Sequence, residues 1–262
     1  MSDHGRFIWY ELITPDMSGA KRFYGDVVGW AAQDMPMPDG GGEPYSILSS
    51  NGSGGIAGMM NLGEPMKAEG MPPNWTGYVC VDDCDAAATK VKSLGGSVKR
   101  EPLDIPGIGR FAIVADPAGA VFAIMKPTPP EGGRPERDMN ASGQCGWHEL
   151  YGADPDKGGF DFYAQMFGWT KSDAMPMGEM GTYQLFNNQD GRVGGMMRKP
   201  DNVPMANWTY YFRVPDIDAA AAKIKADGGQ ILNGPMDVPG DDRIIQGVDP
   251  QGAHFAVVAH NG

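Results

Sequence analysis

Two glutamates stand in the same short context and are the first candidates for chemistry. Glu11 lies in the segment WYEL and Glu149 lies in the segment WHEL. A carboxylate buried beside an indole loses hydration, which raises its pKa and suits it to general acid or base catalysis. The alternative is a structural carboxylate that accepts hydrogen bonds from backbone groups or from Asn74 or Asn207. The sequence leaves both interpretations open.

One histidine and two arginines are further candidates. His254 stands where the first half of the sequence has Val121, so the fold does not require it, and an imidazole can relay a proton near neutral pH. A solvated histidine is the alternative. Arg110 and Arg243 each lie between a Pro-Gly dipeptide and the last hairpin of a half. They could hold an anionic ligand, or each could brace a turn through an ion pair.

The elements that position these residues occur twice, because the second half of the sequence repeats the first. FYGDVVGW at 23–30 returns as FYAQMFGW at 162–169, and GMM at 58–60 returns at 195–197. Four later motifs, NWT, DAAA, GG and DP, recur in one register without insertion. The segment 128–144 is polar and rich in Pro and Gly, which is typical of a linker. The sequence therefore predicts two tandem domains, 1–127 and 145–262.

Each half reads as two βαβββ units, so the predicted fold class is α+β. In the first unit, a strand over 7–13 precedes a helix that Asp16 or Ser18 can cap and that Gly29 can end. In the second unit, Asp85 is expected to cap a helix over 86–94. Three short strands follow each helix, separated by Gly and Pro.

Composition excludes several classes of partner. The 262 residues include 21 basic and 33 acidic side chains, for a net charge of −12. A polyanion would be repelled, so nucleic acid and anionic membranes are poor partners. No apolar run approaches the length of a membrane span, and the sequence predicts a soluble, cytoplasmic protein. Three cysteines without a CxxC pair predict buried free thiols.

The βαβββ units, with FYxxxxGW after the first helix and DPxG before the last strand, resemble the vicinal oxygen chelate superfamily. That superfamily contains glyoxalases, bleomycin-resistance proteins and extradiol dioxygenases. The resemblance implies that two units form a cup-shaped, mostly antiparallel sheet with helices on its convex face. It also implies two such cups in this chain, each with a ligand site in its concavity.

Metal-dependent members of this superfamily hold a divalent ion in the cup through His and Glu side chains. Counted from the motifs, the corresponding positions are Trp9, Thr76 and Ala123 in the first half and Trp147, Thr209 and Ala256 in the second. The segments 54–60 and 192–197, which could supply a fourth ligand, contain no His, Asp or Glu. We therefore expect cups without a metal or another cofactor, with a divalent metal as the alternative.

Strand alternation from those positions predicts which side chains line the cups. The catalytic candidates are Glu149, Glu11 and His254. The predicted ligand-binding side chains, apart from Arg110 and Arg243, are Trp9, Thr76, Tyr78, Trp147, Thr209, Tyr211 and Arg213. The two tryptophans could stack on a flat ligand or simply pack.

The resemblance and the residues together favour a protein that binds a small organic ligand, with weak acid–base catalysis through Glu149 or Glu11 as a further option. One alternative is a metal-dependent lyase of the glyoxalase type, or a dioxygenase, with an unrecognised metal site. Another is a protein-interaction module whose cups are relics. A monomer and a homodimer both remain open.

Overall fold

The protein is described from a computed structural model that covers residues 3–36, 44–50, 54–128 and 138–261. The described residues form sixteen strands and five α-helices. The first βαβββ module contains β1 (Phe7–Thr14), α1 (Met17–Val28), β2 (Ala31–Met35), β3 (Tyr45–Ser49) and β4 (Ala57–Asn61). After the short helix α2 (Glu64–Ala68), the second module contains β5 (Asn74–Cys80), α3 (Cys84–Ser93), β6 (Ser97–Ile105), β7 (Gly109–Ala115) and β8 (Val121–Pro127).

The second half repeats the same order of elements. Its first module contains β9 (Cys145–Gly152), α4 (Asp161–Phe167), β10 (Thr170–Pro176), β11 (Thr182–Asn188) and β12 (Gly191–Arg198). Its second module contains β13 (Asn207–Arg213), α5 (Ile217–Ala226), β14 (Gln230–Val238), β15 (Asp242–Val248) and β16 (His254–His260). The predicted α+β fold of four βαβββ modules is confirmed.

The strands form two eight-stranded sheets with the same internal order. The first sheet runs β2-β3-β4-β1-β5-β8-β7-β6 and the second runs β10-β11-β12-β9-β13-β16-β15-β14. Both sheets are mixed, because β1 pairs with β4, β5 with β8, β9 with β12 and β13 with β16 in parallel, whereas the hairpins pair antiparallel. Each half of the sequence therefore contributes one sheet.

The ends of the helices follow the sequence signals with one correction. The Asp16 side chain accepts a hydrogen bond from the Gly19 amide and caps α1, which ends at Gly29 with a left-handed φ of 86°. The expected cap at Asp85 is wrong: Asp83 accepts the hydrogen bond from the Ala86 amide, and the helix begins at Cys84. Asp85 lies in the first turn instead, where its carboxylate pairs with Arg110.

The chain divides into two compact units that do not follow the two halves of the sequence. Unit 1 comprises Met1–Ile8, Thr76–Arg134 and His148–Trp208, and unit 2 comprises Trp9–Trp75, Pro135–Trp147 and Thr209–Gly262. Each unit thus contains most of one module from each half. The predicted domain boundaries and linker stay a prediction, and residues 129–137 of that linker lie outside the described residues.

The core of unit 2 joins α1 of the first half to the last hairpin of the second half. The Tyr24 hydroxyl donates to Asp249 Oδ2 at 2.9 Å and accepts from the Trp75 indole at 2.8 Å. The Phe23 and Phe255 rings meet edge to face with centroids 5.3 Å apart. These contacts explain why FY and DP are repeated, since each motif supplies one side of a buried hydrogen bond.

The core of unit 1 contains the matching arrangement. The Tyr163 hydroxyl on α4 donates to Asp116 Oδ2 at 2.9 Å, and the Tyr163 ring stacks on Trp169 at 5.4 Å. Burial raises the pKa of Asp116, while the hydrogen bonds that it accepts oppose this shift. The pKa of Asp249 is raised for the same reason.

Two further sequence features have structural counterparts. Cys80, Cys84 and Cys145 are buried free thiols, as predicted. In the part of the chain that the structure covers, no helix is both long and apolar enough to cross a membrane.

Candidate functional site

The first strand places Trp9 and Glu11 on one face. Tyr10 and Leu12 are buried, whereas Trp9 and Glu11 are half-buried. Successive side chains of the strand therefore point to opposite faces of the sheet, one of them more exposed than the other. Both candidate side chains therefore project from the face opposite to that of Tyr10, which packs in unit 2 against the ring of Tyr210.

Tyr45 at the start of β3 joins these two side chains by hydrogen bonds. The Trp9 indole N–H donates to the Tyr45 hydroxyl oxygen at 3.0 Å, and this hydroxyl donates to Glu11 Oε2 at 3.1 Å. The indole, the phenol and the carboxylate thus form a chain in which each donor has a defined acceptor.

A glycine makes room for this phenol. Gly58 on β4 pairs with Glu11 on β1, and a Cβ atom at Gly58 would lie 1.7 Å from the Tyr45 hydroxyl oxygen. Burial and the nearby Glu11 charge raise the pKa of Tyr45 well above its usual value. The phenol is therefore neutral near pH 7 and available as a hydrogen-bond donor to the carboxylate.

The second half repeats the arrangement inside unit 1. The Tyr183 hydroxyl donates to Glu149 Oε2 at 3.0 Å. Gly195 pairs with Glu149 across β12 and β9, and a Cβ atom at Gly195 would lie 2.2 Å from the Tyr183 ring. We call Tyr45 with Glu11, and Tyr183 with Glu149, the two Tyr–Glu pairs.

A Tyr–Glu pair can support proton transfer. A hydrogen bond from the phenol favours the ionised carboxylate and fixes its orientation. An oriented carboxylate can act as a general base towards a proton of a bound molecule, provided that the molecule comes within hydrogen-bond reach. Each pair therefore contains a carboxylate and a phenol that orients it.

The positions predicted from the motifs to correspond to metal ligands carry side chains that are not ligands of a divalent ion. In unit 2, Trp147 and Ile244 pack against a buried apolar cluster of Tyr211, Ala256 and Val258. An indole ring and a methyl group thus stand at two of the three positions in this half, and neither is a ligand for zinc, manganese or iron. Among the described residues, no group of three or more His, Cys, Asp or Glu side chains could hold a metal ion.

The remaining predicted lining residues lie on strands β5 and β13. Thr76 is 8% exposed and Tyr78 is 4% exposed, with the Tyr78 ring 6.1 Å from that of Phe111. Thr209 is half-buried, and the buried Tyr211 hydroxyl accepts a hydrogen bond from Gln246 at 2.6 Å. The Tyr211 hydroxyl is thus already engaged by a side chain of β15, which lies two strands away in the sheet.

His254 and Arg213 lie at different levels of the same pair of strands. Arg213 is in register with Val258, four residues along β16 from His254. Four residues of a strand span about 13 Å, so the structure does not bring the two side chains together. His254 is exposed at the first residue of β16.

Arg110 and Arg243 form ion pairs with the first turns of helices. Arg110 donates to both carboxylate oxygens of Asp85, and Arg243 donates to both oxygens of Asp218. This geometry matches the turn-bracing alternative for both arginines. The pKa of Asp85 is held below its usual value by its hydrogen bond with Arg110.

The sequence interpretation missed the two tyrosines. Tyr45 and Tyr183 each lie 34 residues from their glutamate. This constant spacing is the sequence signal by which the two tyrosines could be identified. Gly58 and Gly195 could also be identified from the sequence, because each is the first residue of the repeated GMM motif.

Comparison with known proteins agrees with this fold. The sequence model of the Glyoxalase/Bleomycin resistance protein/Dioxygenase superfamily matches residues 6–124 and 145–257, one match in each half. The chain therefore belongs to this superfamily, and the resemblance seen in the sequence is confirmed.

Particular relatives match over nearly the whole chain. "Putative glyoxylase CFP32" of Mycobacterium tuberculosis is 38% identical over 250 residues, which cover 95% of this chain and 93% of the relative. "Anthracycline biosynthesis protein DnrV" of Streptomyces peucetius is 32% identical, covering 95% of this chain and 91% of the relative. Among solved structures, the Mn(II)-bound glyoxalase from Novosphingobium aromaticivorans matches with a TM-score of 0.64 at 17% identity, covering 100% of this chain and 84% of that one.

Proposed function

We propose that the protein binds a small organic molecule against its Tyr–Glu pairs and exchanges a proton with it through Glu149 or Glu11. One observation carries this proposal: a tyrosine donates to a glutamate carboxylate at 3.1 Å in one half and 3.0 Å in the other. In both pairs a glycine leaves the space that the phenol occupies.

The proposed chemistry is a proton transfer without a change of oxidation state. The carboxylate takes a proton from a carbon or oxygen atom of the bound molecule and returns it to the same molecule. The neutral phenol remains a donor throughout and holds the carboxylate in one orientation. A molecule whose proton is acidified by a neighbouring carbonyl group is the kind of ligand that suits a carboxylate base.

Two chemical classes of ligand follow from the relatives. One relative is named a putative glyoxylase and another an anthracycline biosynthesis protein. For this chain we propose a 2-oxoaldehyde or its thiol adduct as one ligand class and a flat polycyclic molecule as the other. The half-buried indole of Trp9 favours the flat class, because a π-face stacks on planar rings. A glyoxalase-type reaction is the second candidate, favoured by the 38% identity to CFP32.

We propose that this chemistry does not use a bound divalent metal. The support is the donor chemistry of indole, hydroxyl and methyl groups at the positions that the superfamily uses for ligands. Elemental analysis of protein purified without added metal tests this point. About one Zn, Ni, Mn or Fe per chain would contradict it and favour the metal-dependent alternative.

The binding proposal is tested by native mass spectrometry of the purified protein, followed by thermal shift with the co-purified molecule or with members of both ligand classes. We expect Tyr183→Phe and Glu149→Gln to reduce the ligand-induced shift, while Glu179→Gln, an exposed glutamate, leaves it unchanged. If the ligand binds in the second half, Glu149→Gln should reduce the ligand-induced thermal shift more than Glu11→Gln does. A library without any shift would contradict ligand binding and favour an interaction module.

A further inference from the structure

A cavity in unit 2 is lined by none of the four residues of the Tyr–Glu pairs. It has a volume of about 170 Å³ at the end of β13, and Arg213, Asn140, Ser142 and His260 contribute polar groups to its lining. Val214 and Val258 are buried and form the apolar part of the lining. The cavity therefore combines a cationic group with neutral donors.

The backbone around Arg213 is held in place. The Arg213 amide donates to Gln144 O and the Gly143 amide donates to Arg213 O, both at 2.8 Å, so 143–144 run alongside β13. The Arg213 Nε atom donates to Met139 O at 3.0 Å. One edge of the guanidinium is thus fixed by the protein before any ligand arrives.

The other edge of this guanidinium has no partner among the residues that the structure describes. Within the described residues, neither Nη atom of Arg213 has a hydrogen-bond or ion-pair partner, in contrast to Arg243, which is paired with Asp218. The side chains of Ser142 and Asn140 likewise have no hydrogen-bond partner in that part of the chain. Arginine presents two parallel N–H groups that match the two oxygens of a carboxylate or phosphate.

The acidic groups nearby are already engaged by other partners. Asp242 accepts a hydrogen bond from His260 Nδ1 at 2.9 Å. Asp216 accepts from the first amides of α5, and Asp138 accepts from the Asn140 amide at 2.9 Å. Among the described residues, the guanidinium of Arg213 is therefore a charged group of the cavity lining without a counterion.

We propose that this cavity binds an oxyanion of the carboxylate or phosphate type, held by the free edge of the Arg213 guanidinium and by the side chains of Ser142 and Asn140. The site belongs to the second half only, because the position equivalent to Arg213 in the first half is the buried Cys80. It does not depend on the Tyr–Glu pairs, so it stands or falls separately from the proposed function.

The test is a titration of the ¹⁵N-labelled full chain, followed by amide chemical shifts. Sodium phosphate and sodium acetate are the two probes, each at constant ionic strength maintained with sodium chloride. We expect saturable shifts confined to the amides of residues 140–142, 213, 214 and 260 with at least one probe, and the stronger probe identifies the preferred oxyanion. Arg213→Met should weaken this binding at least tenfold, and Arg213→Lys, which keeps the charge but loses the fork, should weaken it less.

Two comparisons keep the result interpretable. Arg198→Met, which removes an exposed arginine paired with Asp201, should bind like the wild type. Ser142→Ala, which leaves the guanidinium and its contact with Met139 in place, should weaken binding even if Arg213→Met disturbs the fold. Shifts that do not saturate with either probe, or binding that Arg213→Met and Ser142→Ala leave unchanged, would overturn the proposal.

Discussion

We predict that the buried imidazole of His148 makes the stability of the protein sensitive to mild acid. Its side chain is 3% exposed, its Nδ1 atom donates to Val193 O at 2.7 Å, and the Phe7 ring stacks on it at 3.9 Å. Burial lowers the pKa of His148 to about 4, although the hydrogen bond to Val193 acts in the opposite direction. We predict that replacing His148 with glutamine removes a defined part of the pH dependence of unfolding.

The sign and size follow from the difference between the folded and unfolded states. The folded-state pKa lies below the unfolded value of about 6.5, so the unfolded chain binds the proton more readily. The stability contribution is present above pH 6.5 and is lost as the pH falls towards 4. The full loss is about 3 kcal/mol, of which about 2 kcal/mol falls between pH 7 and pH 5.

The assay is urea unfolding of wild type and His148→Gln at pH 7, 6 and 5. The glutamine variant is expected to be less stable at pH 7, because the stacked ring is lost, but to lose less stability on acidification. His254→Gln, which changes an exposed histidine, should follow the wild-type profile. Parallel profiles for the wild type and His148→Gln would refute this account of the buried imidazole.

Three other predictions concern contacts described above. Gly195→Ala should reduce the ligand-induced thermal shift as much as Tyr183→Phe, since the new Cβ would lie 2.2 Å from the Tyr183 ring and displace it; a normal shift would contradict this. Tyr163→Phe should cost about 1–3 kcal/mol in unfolding free energy at pH 7, because the Tyr163 hydroxyl stabilises the buried, ionised carboxylate of Asp116. The cost should be smaller at pH 4, because burial raises the pKa of Asp116 and more of the carboxyl group is then neutral. Equal costs at both pH values would contradict this explanation. Asp83→Ala should cost about 1 kcal/mol in urea unfolding through loss of the helix cap, and an unchanged midpoint would contradict the capping role.

Internal repetition made most of the fold predictable from the sequence. The repeated NWT, DAAA, GG and DP motifs gave one constant register for the later part of the two halves, and the structure shows that Tyr24 of an FY motif and Asp249 of a DP motif meet in a buried hydrogen bond. The cap of α3 was misassigned because Asp83 and Asp85 both precede the helix run, and the sequence does not show which carboxylate Arg110 attracts. Long-range ion pairs of this kind depend on the tertiary structure.

The candidate site was only half predictable. Glu11 and Glu149 stood out because they recur beside a tryptophan, but Tyr45 and Tyr183 come from a strand that is distant in sequence. A tyrosine at the start of a short strand has many ordinary uses, and only the packed structure shows which carboxylate its hydroxyl reaches. The proposed oxyanion cavity was predictable only in part. The sequence singled out Arg213 as a ligand-binding side chain of a cup, but only the folded structure shows which of its N–H groups have a partner among the described residues.

The division of the chain into two units has consequences for the evolution of the protein and for the folding of its fragments. Each compact unit takes one module from each half, so neither half of the sequence contains a complete unit. This is the pattern expected if a single-half ancestor once exchanged modules between two identical copies, and gene fusion later made the exchange permanent. If the chain is cut between the two halves of the sequence, each fragment should consequently fold poorly alone, and the two should recover structure when they are mixed.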